Sequence, residues 1–184
     1  VIELGKDEVL TSFRTEHTNR RLLSLISKGS AENRRQLVAY LLDSQTIRVL
    51  NVVTRVSECT VDHDAKITWL QFNPNANKLL FKDAKRALYL YCLSTREKSN
   101  LLPGCGFCSW VPESDVIIAQ SKGQLNIWYS SDAPDKRVSQ PIRGTVVEIK
   151  THPKLCVVAL DGNIENTVEL DDVLMKFGYA VENK

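Results

Sequence analysis

The stretch 67–102, ITWLQFNPNANKLLFKDAKRALYLYCLSTREKSNLL, decides the fold. Residues 67–72 are a run of apolar and β-favouring side chains that Asn73-Pro74-Asn75 breaks as a turn. Residues 78–82 predict a second strand, and the polar run 83–86 a second turn. In 87–93, Leu88 and Leu90 alternate with Tyr89 and Tyr91, the period of two that a strand imposes. Residues 100–102 supply a short fourth strand. Four short strands with brief polar turns predict an antiparallel sheet made from one local stretch of chain.

Working outward, the same pattern recurs. Val49, Leu90, Ile127 and Val168 are spaced by 41, 37 and 41 residues. Ala39, Phe81, Ala119 and Ala159 form a second register at 42, 38 and 40. Trp69, Trp110 and Val147 form a third at 41 and 37, and Pro74, Pro112 and Pro153 a fourth at 38 and 41. The third register predicts that Trp69 and Trp110 are both buried between neighbouring sheets. A repeat near 40 residues holding several short strands is the signature of a WD40-type propeller blade. The unit before is expected at 22–26, 36–42, 46–52 and 58–61, and the unit after at 108–111, 116–120, 125–129 and 138–142. Inner strands such as 116–119 are apolar throughout, as expected when neighbours cover both faces.

The ends are incomplete units. Residues 1–4 and 9–13 read as the last two strands of a preceding blade, and 145–149, 155–160 and 167–168 as the first three of a following one. Leu170, Val173, Leu174, Phe177 and Val181 then fit helical spacing, with Asp171 or Asp172 as N-cap. The expected fold is all-β: a partial WD40-type β-propeller of about four blades over 1–169, and a short C-terminal helix opening a helical repeat region over 170–184. A half-blade at the amino end implies a ring cut open and a chain that is part of a larger protein.

Composition agrees with a folded domain, at 43% hydrophobic and 25% charged residues. A net charge of +2, from 24 basic and 22 acidic residues, argues against a protein dominated by nucleic-acid phosphates. No apolar run reaches the roughly 20 residues of a membrane-spanning helix. Five unevenly spaced cysteines form neither a disulfide framework nor a zinc set, so reduced thiols are expected.

Five stretches carry a resemblance: EVLTSFRTEHTNR (8–20), AYLLDSQTI (39–47), KLLFKD (78–83), FCSWVPESDVIIAQ (107–120) and the LDD…FG run over 170–178. Together they resemble, in order and nearly end to end, the largest subunit of intraflagellar transport complex B. The first is the most specific, because a generic blade does not require it. The loop 27–35 and the stretch 161–166 depart from the family pattern. The resemblance implies two amino-terminal WD40 propellers followed by tetratricopeptide-like helical repeats, with this chain at the end of the second propeller. It further implies a non-enzymatic scaffold in the cilium or flagellum and at the basal body, on the cytoplasmic side. Other complex B subunits are the expected partners, with a membrane surface as a further one. Neither nucleic acid nor a small-molecule substrate is expected, and no cofactor. The competing assignment is a WD40 module of a vesicle coat or other trafficking complex.

Candidate chemistry is sparse. Cys105 and Cys108 form a lone C-x-x-C without a second pair, and Cys108 reads as a small core residue. Gly104 and Gly106 lead into a strand instead of a helix, which does not make a phosphate cradle. His17 and His63 each precede a first strand, where a regular WD40 histidine joins a hydrogen-bond network with an aspartate, here Asp43 or Asp83. Three histidines in separate units make no catalytic set, so no catalytic or metal residues are assigned. Basic residues gather at Arg20-Arg21, Arg34-Arg35, and Lys78, Lys82, Lys85 and Arg86, which read mostly as solvated turns. Arg34, Arg35, Lys85 and Arg86 are the candidate protein-interaction residues. Of the aromatics Tyr89, Tyr91, Trp128 and Tyr129, most are expected in the core.

Overall fold

A computed structural model of the chain describes residue 12 and residues 19–29 and 35–170. The half-blade expected over 1–13, His17, Arg34 and the helix expected beyond Leu170 lie outside the described residues, Ser12 and Leu170 apart.

Among the described residues, a 3-10 turn at Arg20–Leu22 leads into fifteen strands: β1 Leu23–Lys28, β2 Arg35–Leu41, β3 Thr46–Asn51, β4 Ser57–Asp62, β5 Ile67–Phe72, β6 Lys78–Asp83, β7 Leu88–Cys92, β8 Lys98–Leu102, β9 Cys105–Trp110, β10 Ile117–Ser121, β11 Gln124–Trp128, β12 Val138–Pro141, β13 Thr145–Lys150, β14 Cys156–Asp161 and β15 Ile164–Glu169. They form four antiparallel sheets in chain order, β1-β2-β3-β4, β5-β6-β7-β8, β9-β10-β11-β12 and β13-β14-β15. This is the strand pattern of consecutive β-propeller blades. Residues 67–72 form β5 as expected, and the turn after them closes on Asn73, whose Oδ1 accepts from the Asn77 and Lys78 amides at 3.1 and 2.8 Å.

The chain divides into two compact units, Val1–Asn100 and Leu101–Lys184. In the first, Leu37, Ala39, Leu41, Ile47 and Val49 of the first sheet pack with Ile67, Leu70, Phe72, Leu79 and Phe81 of the second. In the second unit, Val116, Ile118, Leu125 and Ile127 of the third sheet pack with Val146, Val157 and Ala159 of the fourth. The hydrophobic effect drives both contacts, at about 1.5–3 kcal/mol for each large side chain fully buried.

Two sequence registers need correction. Leu42 N donates to Thr46 O and Asp83 N to Ala87 O, closing equivalent turns, so Ala39 matches Leu80, not Phe81. Ala39 packs toward the second sheet, whereas Phe81 packs back toward the first. An inner strand apolar on both faces carries no phase, so its sequence cannot reveal a one-residue slip. The tryptophan register fails because these two sheets repeat at 38 residues, the spacing of Phe81 and Ala119, and not at the 41 that separates the tryptophans. The β5–β6 pairing shifts between Ile67 and Trp69, and that of β9–β10 between Cys105 and Phe107. Trp69 therefore matches Phe107 and is half-buried, while Trp110 matches Phe72 and is 3% exposed. An offset of three residues along a strand puts the two tryptophans on opposite faces.

Candidate interaction surface

The histidine expected to anchor a blade does so. Asp83 closes the β6 end of the second sheet, and its Oδ1 accepts from Ala87 N at 2.8 Å. His63 Nε2 lies 3.3 Å from Asp83 Oδ2, and both side chains are buried. Lys98 Nζ lies 3.4 Å from His63 Nδ1 and donates to Asp62 O at 3.1 Å. An ammonium can only donate, so Nδ1 accepts and the ring proton sits on Nε2 facing Asp83. The His63 ring meets Phe81 and Tyr89 edge-on, at 5.2 and 4.5 Å between centroids. Burial, and then the Asp83 carboxylate, pushes the Tyr89 phenol above its ordinary value. The cluster holds a turn in place. His17, the histidine of the same unit, lies outside the described residues, while Asp43 is exposed and its Oδ1 accepts from Gln45 N at 2.8 Å. That amide holds its carboxyl below the usual value.

Around this anchor three connections lie side by side. His63 N donates to Gln45 O at 3.0 Å and Ile67 N to Ser44 O at 2.8 Å, which docks the β2–β3 turn on the β4–β5 connection. Ala84 N donates to Lys66 O at 2.7 Å, which sets the β6–β7 turn against the same connection. The resulting rim exposes Lys66, Lys85 and Arg86 together with Asp43 and Asp64. Arg86 sits at φ 61°, a left-handed backbone that fixes the turn. Lys66 was missed in sequence because it belongs to a different turn, and only the tertiary hydrogen bond to its carbonyl brings it alongside.

The other ends of the same strands form a second rim. Arg35 opens β2 there and pairs with Glu58 through both ends of its guanidinium, while Asn51 Nδ2 also reaches Glu58 at 3.3 Å. Lys28 Nζ donates to Asn75 Oδ1 at 2.6 Å. Arg35, Glu58, Cys59, Asn77, Leu93 and Ser94 line a groove of about 200 Å³. Burial raises the Cys59 thiol, whereas at Cys92 hydrogen bonds with Ser94 and Thr95 outweigh burial and lower the thiol to about 7. The candidates thus fall on two opposite rims: Lys85 and Arg86 on one, with Arg35 at the other already engaged by a carboxylate. Lys78 and Lys82 are not turn residues; both lie on β6 and Lys78 is buried.

In the second unit a buried amide does the joining. Gln120 Nε2 donates to Gly144 O at 2.7 Å and its Oε1 accepts from Val146 N at 2.8 Å. The only hint in sequence is a polar residue closing the apolar run Ile117, Ile118, Ala119. Cys105 and Cys108 are both buried on β9. Among the described residues, no cluster of three or more His, Cys, Asp or Glu is placed to hold a metal ion. No helix among them is long and apolar enough to cross a membrane.

No protein-family profile matches the chain. It aligns over its whole length with intraflagellar transport protein 172 of Chlamydomonas reinhardtii, at 42% identity and across 11% of that protein. The Drosophila melanogaster homologue aligns over the whole chain at 38% identity and 10% of its own length, and the Homo sapiens homologue at 33% and 11%. The chain therefore spans about a tenth of the relatives it matches. Among solved structures, the computationally designed Ika4 protein shares the fold over 89% of this chain and 99% of its own, with TM-score 0.56 and 12% identity. Kluyveromyces lactis Hsv2p does so over 73% of this chain and 44% of its own, with TM-score 0.57 and 12% identity.

Proposed function

The chain belongs to the intraflagellar transport protein 172 family as a segment matching 11% of its relatives' length, and on that premise we propose that it is a non-enzymatic docking module of a ciliary transport subunit. The blades are WD40-type, and the ring is completed by sequence flanking this segment. Membership in an intraflagellar transport family supports a place in the cilium or flagellum. The finer assignment, to the basal body and the cytoplasmic side of the axonemal compartment, rests on the same relationship.

Other complex B subunits are the partners. The observation that supports the reading most is the exposed rim of Lys66, Lys85 and Arg86, displayed on turns that a buried His63–Asp83 anchor holds rigid. Rim charges set which partner docks and how fast, without contributing to the core. Arg35 contributes less, because Glu58 already occupies its guanidinium. Arg34 lies outside the described residues.

The experiment is to reverse Lys85 and Arg86 to Glu in the full-length protein and recover it with its complex. At least one complex B subunit should be lost, with the melting temperature of the variant unchanged. If every subunit is retained at wild-type ratio, this rim is not the docking face. If the variant instead recovers vesicle-coat subunits in place of transport subunits, the family-based assignment of partners is wrong.

A further inference from the structure

The connection from β11 to β12 ends in a basic pair. In Lys136-Arg137-Val138-Ser139 two cations stand three and two residues ahead of a serine. Trp128 Nε1 donates to Pro134 O at 3.0 Å, which ties the start of this connection to the end of β11. Past that tie, every residue from Asp135 to Ser139 is exposed. β12 is the outermost strand of the third sheet, four residues long, with β11 as its one neighbour in that sheet among the described residues. A short outer strand opens at low cost.

The serine hydroxyl ties that strand to the interior. Ser139 lies directly opposite Asn126 of β11, and its Oγ donates to Asn126 Oδ1 at 2.8 Å. Asn126 is 3% exposed. Its Nδ2 faces two carbonyls, Ala119 O at 3.4 Å and Gln124 O at 3.3 Å. Turning the amide over would set Oδ1 against both of those oxygens, so the side chain is fixed with Oδ1 toward Ser139. Two other serines that follow bases differ. Ser24, after Arg20-Arg21, is half-buried and accepts from Phe72 N at 3.1 Å. Ser57 follows Arg55 but has Thr54 in place of the second base.

We propose that Ser139 is a phosphorylation site for an ATP-dependent protein kinase that selects basic residues ahead of its serine, and that the phosphate releases β12 from β11. In that step Ser139 Oγ forms a bond to the γ-phosphorus of ATP. The bond from that phosphorus to its bridging oxygen breaks, ADP leaves with the electron pair, and the hydroxyl proton passes to the kinase's base. Lys136 and Arg137 supply the charge pattern by which such a kinase selects its substrate. The esterified oxygen carries no proton and has nothing to donate to Asn126 Oδ1, so a buried acceptor is left unpaired. The phosphate adds close to two negative charges against that same oxygen. Both effects push β12 off the sheet at the one place where a side-chain bond holds it to the interior.

The test uses the full-length protein, ATP and the catalytic subunit of cyclic-AMP-dependent protein kinase, with sites read by mass spectrometry. Ser139 should take phosphate in the folded protein, and Lys136→Ala combined with Arg137→Ala should slow that labelling by about tenfold or more. A peptide of residues 131–142 is the unfolded control. If the peptide is labelled at Ser139 and the folded protein is not, β12 is closed to the kinase and the proposal fails. It fails equally if neither is labelled. Hydrogen exchange reads the consequence. Amides over 124–127 and 138–140 should exchange about tenfold faster in the phosphorylated protein than in the untreated one, the size expected for one buried acceptor without its donor. Unchanged exchange there overturns the release of β12. The same treatment of Ser139→Ala should change nothing over these strands. A rise in that variant would assign the effect to another serine or threonine and overturn the proposal as well.

Discussion

The contact between the first and second sheets is large and built around aromatic rings, Phe72, Phe81 and Tyr91 among aliphatic neighbours. The contact between the third and fourth sheets is mostly aliphatic and carries the Gln120 amide in its interior. Both join consecutive repeats of one pattern. The first relies on apolar area, which is strong but indifferent to exact register. The second adds two directed hydrogen bonds, which fix how one sheet meets the next but leave each partner exposed to loss. The outer face of the fourth sheet differs again, since its charges pair at the surface: Lys150 with Glu148 and Glu165, and Lys154 with Glu169. Three kinds of contact within one repeat pattern should respond to substitution on three scales.

The largest response is expected at Phe81. It is fully buried, stacks on Tyr89 at 5.1 Å with 15° between the rings, and meets His63 edge-on. Phe81→Ala removes the apolar area and leaves a cavity between two sheets that cannot both collapse into it, a loss of about 3–5 kcal/mol. Urea unfolding of the whole chain measures it. A loss below about 1 kcal/mol would mean that the aromatic contact is not the main tie in this unit.

Phe81 also marks how far the sequence could be read. Strand positions were legible, because polar turns punctuate short apolar runs and Leu88 and Leu90 alternate with Tyr89 and Tyr91. The pairing of His63 with Asp83 was legible as one of two options, since the histidine precedes a strand and the aspartate closes a turn. Phase was not legible. Ala39 and Phe81 point to opposite faces of their sheets, but both are fully buried, so hydrophobicity is the same at both. Trp69 and Trp110 looked equivalent, and only the strand pairing shows that they stand three residues apart in register. Nor could sequence show that Arg35 is held by Glu58 or that Lys66 joins Lys85 and Arg86. Those relations cross 23 and about 20 residues of chain and exist only once strands pair.

The second response is at Gln120. Its side chain is buried, and Gly144 O and Val146 N depend on it. Gln120→Leu keeps the volume and removes both bonds, leaving a carbonyl and an amide without partners. The expected loss is about 2 kcal/mol, because an unpaired buried backbone group is penalised more than a neutral bond contributes. Gln120→Glu sharpens the comparison. The retained oxygen can still accept from Val146 N, but nothing donates to Gly144 O unless the carboxyl is protonated. Its stability should therefore rise as pH is lowered through the carboxyl range, relative to wild type at each pH. A loss for Gln120→Leu equal to that of Phe81→Ala, or no loss at all, would break the distinction between the two contacts.

The smallest response is expected at Lys150. The hydrogen bond to Glu165 at 3.0 Å comes first among the causes that raise its ammonium above the ordinary 10.5, with Glu148 at 3.6 Å adding to it. All three side chains are open to water, at 41%, 55% and 52% exposure. In that setting water and salt screen the attraction, and ordering three long side chains offsets much of what remains. A lysine whose folded value is raised stabilises fully below 10.5 and loses that contribution as pH climbs through the folded value. Whatever Lys150 contributes should therefore be constant through neutral pH and vanish only in strong alkali. Lys150→Ala should leave the urea midpoint within the scatter of repeat titrations, and the small difference should shrink further in high salt. A clear loss at neutral pH that persists in molar salt would mean that this outer face is not open to solvent. It would then be packed against something that excludes water, as the inner faces of the other sheets are.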